Sequence, residues 1–457
     1  MRELYLLRHA KAKRARGDMV DHQRTLRRRG RRQAAVMASP LGRCGALAGE
    51  IHVSSADRTR QTLEVIDAAL PRLGLVERVH VDDALYTFRG DALREWLKAL
   101  PADAARVLVI GHNPALIELA RWLCPELPAS FPTGSLVHLR LPDGAWRSVT
   151  PRSAEWVASL SPAEVSYDIF QREAPATKEP GGIHLPERVA LQLEHQYQLI
   201  RELEPGVIAG FDPEFLHQYR VNLRRSRAIG ESVLAAAKVP GLRKGLKRLK
   251  RRAQATSDLR DLDVFLPSLS QQRPPLAPRV QSALQGWLSS RRDVEHQALC
   301  EQLASEAYAR EMLVWGRFLA SGSFRKALRK LTRKRIQTVL MEQVAQHDRS
   351  LASITVASPD EALHELRKGV KRIRYLAELD PERHRDLLSS LRQRQNLLGN
   401  FQDLCTWQTW VGEFAAELDG DSDQRAGLNG WLAELGQQKQ ALRERLMGER
   451  QLHSSNA

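Results

Sequence analysis

The sequence predicts a two-domain protein in which an α/β domain is followed by an all-helical one. Its 457 residues exceed what one compact domain usually contains. Up to about Pro151, short apolar runs alternate with helical stretches, which is the pattern of an α/β layer with a largely parallel sheet. From Leu185 to Gln451, helix-favouring residues dominate and strand-like runs are almost absent, and this predicts a helical bundle.

Local patterns indicate where the elements and boundaries lie. In the first domain, strands are expected over Leu4–Leu7, Ile51–Ser54, Val107–Ile110 and Leu136–Leu141, and helices over Arg29–Met37 and Asp91–Leu100. The stretch REAPATKEPGG mixes proline, glycine and charge, which is typical of a linker. The predicted boundaries are therefore 1–155 for the first domain, 156–182 for the linker, 183–450 for the second domain and 451–457 for a tail.

The charge balance limits the class of partner. The formal net charge is +16, so polyanions are the expected partners: nucleic acid, an anionic membrane surface or inorganic phosphate chains. No apolar run approaches the roughly 20 residues of a membrane-spanning helix, and the N-terminal run is too short for a signal peptide. The four cysteines are far apart, without metal-site or disulfide spacing, so we expect a reduced, cytoplasmic protein.

The second domain repeats two segments in the same order. HQYRVNLRRSRA begins at His217 and HELRKGVKRIRY at His364, and in both the histidine is followed by basic residues three, seven, eight and ten positions later. Farther along, SDLRDLDVF from Ser257 resembles GNFQDLCTW from Gly399. Two matched segments predict duplicated halves.

Three segments of the first domain suit phosphoryl transfer. The strand before Arg8 and His9 places an imidazole that can attack phosphorus, beside a guanidinium that can hold phosphate oxygens. Arg58 opens a helix after a short strand, where anions bind readily. His112 follows a second apolar strand, and both histidines stand at C-terminal strand ends, where open α/β sheets bind their ligands.

The segments RHAKA, QRTLRRRG, SSADRTRQT, ALY, VIGHNP and FPTGSLVHL resemble the histidine phosphatase superfamily, most closely its small SixA-type phosphohistidine phosphatases. The resemblance covers about residues 1 to 150 and implies a three-layer α/β fold. It also implies a covalent phosphohistidine at His9 and a phosphate pocket formed by Arg8, Arg58 and His112, with Arg24 lining it. No metal or cofactor is expected, because arginine and histidine already supply the positive charge.

One departure concerns the proton donor. Many larger members of the superfamily carry a glutamate where Thr87 stands, and SixA-type members also lack it. A proton donor matters most for a poor alkoxide leaving group. We therefore expect phosphohistidine or a polyphosphate end as the substrate, rather than a sugar phosphate. The alternative is a degenerate fold that binds phosphate without turning it over.

Each histidine-led repeat predicts a cationic strip on a helix. At about 100° per residue, offsets of three, seven and ten fall within about 80° of one another. The strips consist of His217, Arg220, Arg224 and Arg227 in the first copy, and His364, Arg367, Lys371 and Arg374 in the second. No carboxylate stands within either strip, so the like charges repel and favour a docked anion. A solvated charged face is the alternative for a single helix, but the repetition argues against it.

These motifs resemble the CHAD domain (conserved histidine α-helical domain) over about residues 185 to 450. The resemblance implies an all-α, pseudo-twofold helical bundle that binds inorganic polyphosphate through both strips. It extends the binding set to Lys247, Lys250 and Arg251 on a basic helix. Cys405 stands where the first copy has Asp263, so we expect Asp263 to be structural.

Together these features predict a polyphosphate-binding protein with a metal-independent histidine phosphatase domain, located in the cytoplasm or on polyphosphate granules. Phosphohistidine-bearing protein is a second expected partner. The alternatives are a non-catalytic granule scaffold and a nucleic-acid-binding protein. Aromatic residues make up only 6% of the chain and hardly join the basic strips, which argues against single-strand binding.

Overall fold

The apolar runs of the first part of the chain form one six-stranded sheet. The computed structural model describes residues 1–15, 17–127, 130–176, 184–272, 274–418, 422–449 and 451–452, with the side chains of residues 270, 422 and 423 left aside. The strands are β1 (Arg2–Arg8), β2 (Glu50–Ser54), β3 (Val79–Asp82), β4 (Arg106–Gly111), β5 (Leu136–Leu141) and β6 (Glu155–Leu160). All four predicted strands are present, and β3 and β6 are additional.

The strand order is β3-β2-β4-β1-β5-β6. The pairs β1–β4, β2–β4 and β2–β3 are parallel, whereas β5 and β6 run antiparallel to their neighbours. Because β1 and β4 are parallel neighbours, their C-terminal ends lie side by side.

Helices cover both faces of this sheet. They are α1 (Arg28–Arg43), α2 (Asp57–Ala69), α3 (Gly90–Lys98), α4 (Ala115–Leu123), α5 (Pro162–Val165) and α6 (Tyr167–Gln171). Tyr5 and Leu7 pack with α1 and α2, while Leu4 and Leu6 pack with α3 and α4. Burial on both faces explains why β1 is a continuous apolar run, and it gives the expected three layers.

The first compact unit extends beyond the predicted boundary at residue 155. It comprises Met1–Ala174 together with Ala209–Asp212. Strand β6 pairs with β5, and α5 and α6 follow it, so structured elements occupy the first part of the segment predicted as a linker. Residues 177–183 of that segment, and residues 453–457 of the predicted tail, lie outside the described residues.

The second compact unit, Pro175–Ile208 with Pro213–Ala457, is helical in its described residues. Its helices are α7 (Leu185–Ala209), α8 (Pro213–Ala236), α9 (Leu242–Gln254), α10 (Ser257–Gln272), α11 (Pro278–Ala304), α12 (Glu306–Ala320), α13 (Gly322–Leu328), α14 (Arg333–Ala352), α15 (Asp360–Ala377), α16 (Arg385–Glu417) and α17 (Ser422–Met447). The all-helical prediction for this region is confirmed.

The repeated segments occupy corresponding helices. The two histidine-led motifs lie in α8 and α15, which pack against each other, and the second pair of segments begins α10 and lies within α16. A core around Phe265 joins α10, α11, α16 and α17, with Trp407 stacked on Phe265 at 5.0 Å between ring centroids. Among the described residues, no helix has the length and apolar character needed to cross a membrane.

Candidate functional sites

The C-terminal ends of β1 and β4 bring the two predicted histidines together. The His9 backbone N–H donates to the Gly111 carbonyl at 3.1 Å, which ties one strand end to the other. The His9 and His112 rings lie 5.2 Å apart between centroids. Arg8 ends β1, and Arg58 lies in the first turn of α2 with its side chain almost fully buried.

Hydrogen bonding fixes the tautomer of His9. Its Nδ1 lies 2.8 Å from the Ala10 carbonyl oxygen, which can only accept, so Nδ1 carries the proton. Burial, together with the charges of Arg58, Arg8 and Arg24, lowers the pKa of His9 to about 3. The Nε2 atom therefore keeps its lone pair at neutral pH, as a nucleophile requires.

His112 is also held neutral. Burial and the neighbouring Arg58 lower its pKa to about 2, and its Nε2 lies 2.8 Å from the Ser54 hydroxyl. Among the described residues, its Nδ1 is buried without a hydrogen-bond partner. A buried polar atom without a partner is costly, so this atom is available to a ligand oxygen.

The three predicted arginines surround the histidines. Arg8 donates to the Phe131 carbonyl at 2.7 Å, and Arg24 donates to Asp21 Oδ1 at 2.8 Å. Arg58 donates to the Asp21 backbone oxygen at 2.7 Å and to Asp21 Oδ2 at 2.9 Å. In the described part of the chain, the Nε atoms of all three arginines are buried without a hydrogen-bond partner. The structure thus assembles all five residues that the sequence predicts for this site.

Two residues of this site were missed from the sequence. Asp21 accepts hydrogen bonds from Arg58, Arg24 and the Tyr86 hydroxyl, the last at 2.8 Å. Tyr86 lies edge-on to His112 at 5.5 Å between ring centroids. The available signals were the carboxylate three residues before Arg24 and the tyrosine of the ALY motif. Among the described residues, no group of three or more His, Cys, Asp or Glu is placed to hold a metal ion.

The helical unit has a second site, where α8 and α15 face each other. A cavity of about 460 Å³ is bounded by these helices with α9 and α14. Its lining includes the cations Arg224, Arg227, Lys250, Lys368, Lys371 and Arg372, with Glu231, Gln343 and Tyr375. Four of the six cations were predicted. Lys368 and Arg372 were not, although Arg372 is the basic residue at offset eight of the second motif.

Lys371 is the most perturbed cation of this cavity. Burial, followed by the charges of Arg367, Arg224, Arg220 and Arg227, lowers its pKa to about 7. Within the described residues, the Nε atoms of Arg224 and Arg367 are buried without a hydrogen-bond partner. The two strips therefore converge, and their cations repel one another in a partly desolvated space.

The strip geometry predicted that Arg220 lies on an exposed face, but the structure does not place it there. It is buried, and its Nη1 donates to the Ala253 carbonyl at 3.1 Å and to the Thr256 hydroxyl at 2.6 Å, near the end of α9. Burial and the charge of Arg224 lower the pKa of Arg220 to about 10. Through these hydrogen bonds, Arg220 ties α8 to the end of α9.

The two motif histidines do not line the cavity. The His364 Nδ1 donates to Gln402 Oε1 at 2.8 Å, which ties α15 to α16. His217 is half-buried, and burial together with Arg260 lowers its pKa. Both histidines lie nearer the starts of their helices than the cavity-lining cations do.

Nearby carboxylates partly neutralise the cations of both strips. The sequence spacing had not associated these carboxylates with the strips. Arg227 forms an ion pair with Glu231 at 3.2 Å, and Arg374 forms the equivalent pair with Glu378 at 2.7 Å. Asp261 and Asp403, at matched positions of the second repeated segment, also interact with the strip arginines. Burial raises the pKa of each, while Arg220 acts on Asp261 and Arg367 on Asp403 in the opposite direction.

The predicted basic residues of α9 are divided. Lys250 lines the cavity, and Lys247 is exposed without lining it. Arg251 is exposed and forms an ion pair with Glu311 at 2.8 Å. Asp263 has the structural contact expected for it, an ion pair with Arg292 at 2.8 Å.

Both regions resemble known proteins. Residues 191–412 match the sequence model of the CHAD domain family. The CHAD domain from the plant Ricinus communis is 23% identical, with a TM-score of 0.50, over 62% of this chain and 96% of that chain. The putative phosphohistidine phosphatase SixA from Nakamurella multipartitia is 30% identical, with a TM-score of 0.30, over 35% of this chain and 96% of that chain. An uncharacterized protein from Mycobacterium leprae is 27% identical over 164 residues, which span 33% of this chain and 97% of the relative. The resemblances predicted from the sequence are confirmed.

Proposed function

We propose that this chain, which joins a SixA-like α/β domain to a CHAD domain, is a polyphosphate-binding protein with an active, metal-independent phosphatase site. The observation that carries the catalytic part is the His9 tautomer. Its Nδ1 proton is held by the Ala10 carbonyl at 2.8 Å, so the Nε2 lone pair is free among Arg8, Arg58 and His112. A neutral imidazole among phosphate-binding cations is what nucleophilic phosphoryl transfer requires.

The reaction takes place in two steps. His9 Nε2 forms a bond to phosphorus while the bond from phosphorus to the leaving group breaks, and the electron pair goes to the leaving group. Water then attacks the phosphorylated His9, releasing orthophosphate and restoring the Nε2 lone pair. Arg8, Arg24 and Arg58 would stabilise the equatorial oxygens, and the unpartnered Nδ1 of His112 can form a hydrogen bond with an oxygen of the phosphoryl group.

Polyphosphate binding is supported by the convergence of the two helices. Six cations from α8, α9 and α15 surround one cavity that also contains the Glu231 carboxylate. Each strip contains only a few cations, but a linear polyanion that spans both strips is attracted by the cations of both. Arginine suits this role because its planar fork holds phosphate oxygens in pairs and remains charged at cellular pH. Binding of this kind weakens steeply with salt, because counterions are released.

One variant separates the two activities. His9→Ala should abolish hydrolysis of phosphohistidine and of short polyphosphate, because the nucleophile is lost. Polyphosphate affinity of the full chain, measured by calorimetric titration, should remain within about twofold, since the binding cations lie in the other domain. The matched control is His80→Ala, which alters an exposed histidine of β3. Full turnover by the His9→Ala protein would refute the covalent mechanism.

The same measurements address the alternatives. A scaffold without catalysis would bind polyphosphate but show no His9-dependent turnover of any phosphorylated substrate. A nucleic-acid-binding protein would bind single-stranded or duplex DNA as tightly as polyphosphate at equal salt. Polyphosphate granules in the cytoplasm are the cellular location that our proposal implies, and fluorescence microscopy of the tagged chain tests it.

A further inference from the structure

The Asp21 carboxylate is held by two of the arginines that would bind phosphate and by a tyrosine. Asp21 Oδ1 accepts one hydrogen bond, from Arg24, and Oδ2 accepts two, from Arg58 and Tyr86. A carboxylate has about four acceptor positions. One position on Oδ1 is therefore open among the described residues, and the side chain is 43% exposed, so a ligand can approach it from solvent.

Asp21 is an acceptor rather than an acid at neutral pH. Burial alone would raise its pKa, but the hydrogen bond from Tyr86 and the charges of Arg58 and Arg24 outweigh this, and the pKa is lowered. A carboxyl group that remains ionised has no proton to give to a leaving group. It can accept a hydrogen bond from a leaving group, and it repels a negatively charged one.

Aromatic rings lie beside the two groups His112 and Asp21. Tyr86 and Phe88 lie 5.5 Å and 5.4 Å from His112 between ring centroids, and Phe88 is 43% exposed. His22 lies edge-on to Tyr86 at 4.8 Å. The partly exposed Phe88 ring can contact a planar leaving group, and Tyr86 connects this aromatic cluster to the Asp21 carboxylate through its hydroxyl.

We propose that Asp21 is the specificity-determining residue of the phosphatase site, which favours phosphorylated imidazoles over substrates with an anionic leaving group. Asp21 accepts a hydrogen bond from the protonated ring nitrogen opposite the phosphoryl group. This inference rests on the proposed phosphatase function and deepens it, because it selects between the two substrate classes considered above.

The proton balance supports this role. In a phosphoimidazole protonated on the remote nitrogen, the ring carries a positive charge. When His9 Nε2 bonds to phosphorus and the nitrogen–phosphorus bond of the substrate breaks, the electron pair returns to the ring. The ring leaves as neutral imidazole and keeps its remote proton, so no general acid is required at Thr87. A pyrophosphate end would instead place a phosphate anion against the Asp21 carboxylate.

The test compares two substrates in the full chain, phosphoimidazole and pyrophosphate. Asp21→Asn should lower the ratio of kcat/KM for phosphoimidazole over that for pyrophosphate by about tenfold or more, because the charge of the carboxylate is removed. Asp21→Glu keeps the charge and should retain the preference. Asp18→Asn is the matched control, since Asp18 is exposed in the preceding loop, and it should leave the ratio unchanged.

Two outcomes would overturn the role of Asp21. Equal losses for both substrates would make Asp21 only a structural support for Arg58, and equal gains would mean that Asp21 competes with phosphate for the arginines. A second measurement does not need turnover: in a His9→Ala background, Asp21→Asn should weaken phosphoimidazole binding by about tenfold, whereas Asp18→Asn should not. If the wild-type chain hydrolysed neither substrate, the proposed function would fail, and this binding comparison would still decide the role of Asp21.

Discussion

Lys371 lies where the cationic strips of α8 and α15 meet. Arg367 on its own helix, and Arg224, Arg220 and Arg227 on α8, add to the effect of burial and lower its pKa to about 7. The Asp403 carboxylate of α16 interacts with it in the opposite sense but does not restore an ordinary lysine pKa. Near neutral pH, the free protein is therefore divided between charged and uncharged Lys371.

This titration predicts pH-dependent binding. A bound polyanion favours protonated Lys371, so binding takes up a proton when the pH is above about 7. Affinity for long-chain polyphosphate should be nearly constant below pH 6 and should fall by up to about tenfold per unit above pH 7. Calorimetric titration in buffers of different ionisation enthalpy would measure both the affinity and the proton uptake.

Lys371→Arg is the matched control for this prediction, because a guanidinium remains charged throughout this range. The variant should bind with little pH dependence between pH 6 and 8.5. A wild-type affinity that does not change between pH 6 and 8.5, or the same pH dependence in Lys371→Arg, would contradict the assignment to Lys371.

For single residues, the sequence predicted which residues belong to a site better than it predicted what surrounds them. Arg8, His9 and His112 follow from strand ends and Arg58 from a helix start, because both are local patterns. Asp21 lies on a short 3₁₀ segment, Asp21–Gln23, and its partners Tyr86 and Arg58 are distant in sequence, so its spacing of three from Arg24 was the one local signal. The burial of Arg220 depends on α9, and helical periodicity cannot show which neighbour covers a face.

Local sequence patterns also failed to predict two of the six strands. Both missed strands are at the edges of the sheet, β3 at one end and β6 at the other. Val81 is 51% exposed, and Trp156 and Val157 of β6 are 41% and 38% exposed. Edge strands with one solvated face lack the continuous apolar run by which the buried strands β1 and β4 are recognised.

The duplicated helices provide an internal control for polyphosphate binding. Arg225 and Arg372 hold the same offset, eight residues after His217 and His364. Both are exposed, but only Arg372 lines the cavity between α8 and α15. Equivalent positions of the two copies thus differ in their relation to the candidate site.

We therefore predict unequal effects of the same substitution at these positions. Arg372→Glu should weaken polyphosphate binding by about tenfold, because reversing one charge beside a polyanion costs on the order of 1–2 kcal/mol. Arg225→Glu should have a smaller effect, which reflects only the change in net charge. Titrations at two salt concentrations would separate the local from the general contribution. Equal losses in both variants would locate the binding surface elsewhere.

The positive charge of the whole molecule favours anionic ligands at both sites. The net charge of +16 creates a field that attracts phosphorylated molecules, but it does not distinguish among them. Discrimination comes from local arrangements in the two units, whose apolar cores consist of different residues. Ligands for the two sites should therefore stabilise different parts of the chain.

Scanning calorimetry of the full chain tests this separation. A ligand that binds only the folded state stabilises it by about 2.7 kcal/mol at a concentration of 100 times Kd. For a unit of this size, long-chain polyphosphate should raise the transition of the helical unit by roughly 5–10 °C. Arg372→Glu should reduce this shift, and His9→Ala should leave it unchanged. Phosphoimidazole, added to the His9→Ala protein to prevent turnover, should raise the transition of the α/β unit instead. If polyphosphate raised the α/β transition alone, the helical cavity would not be its binding site.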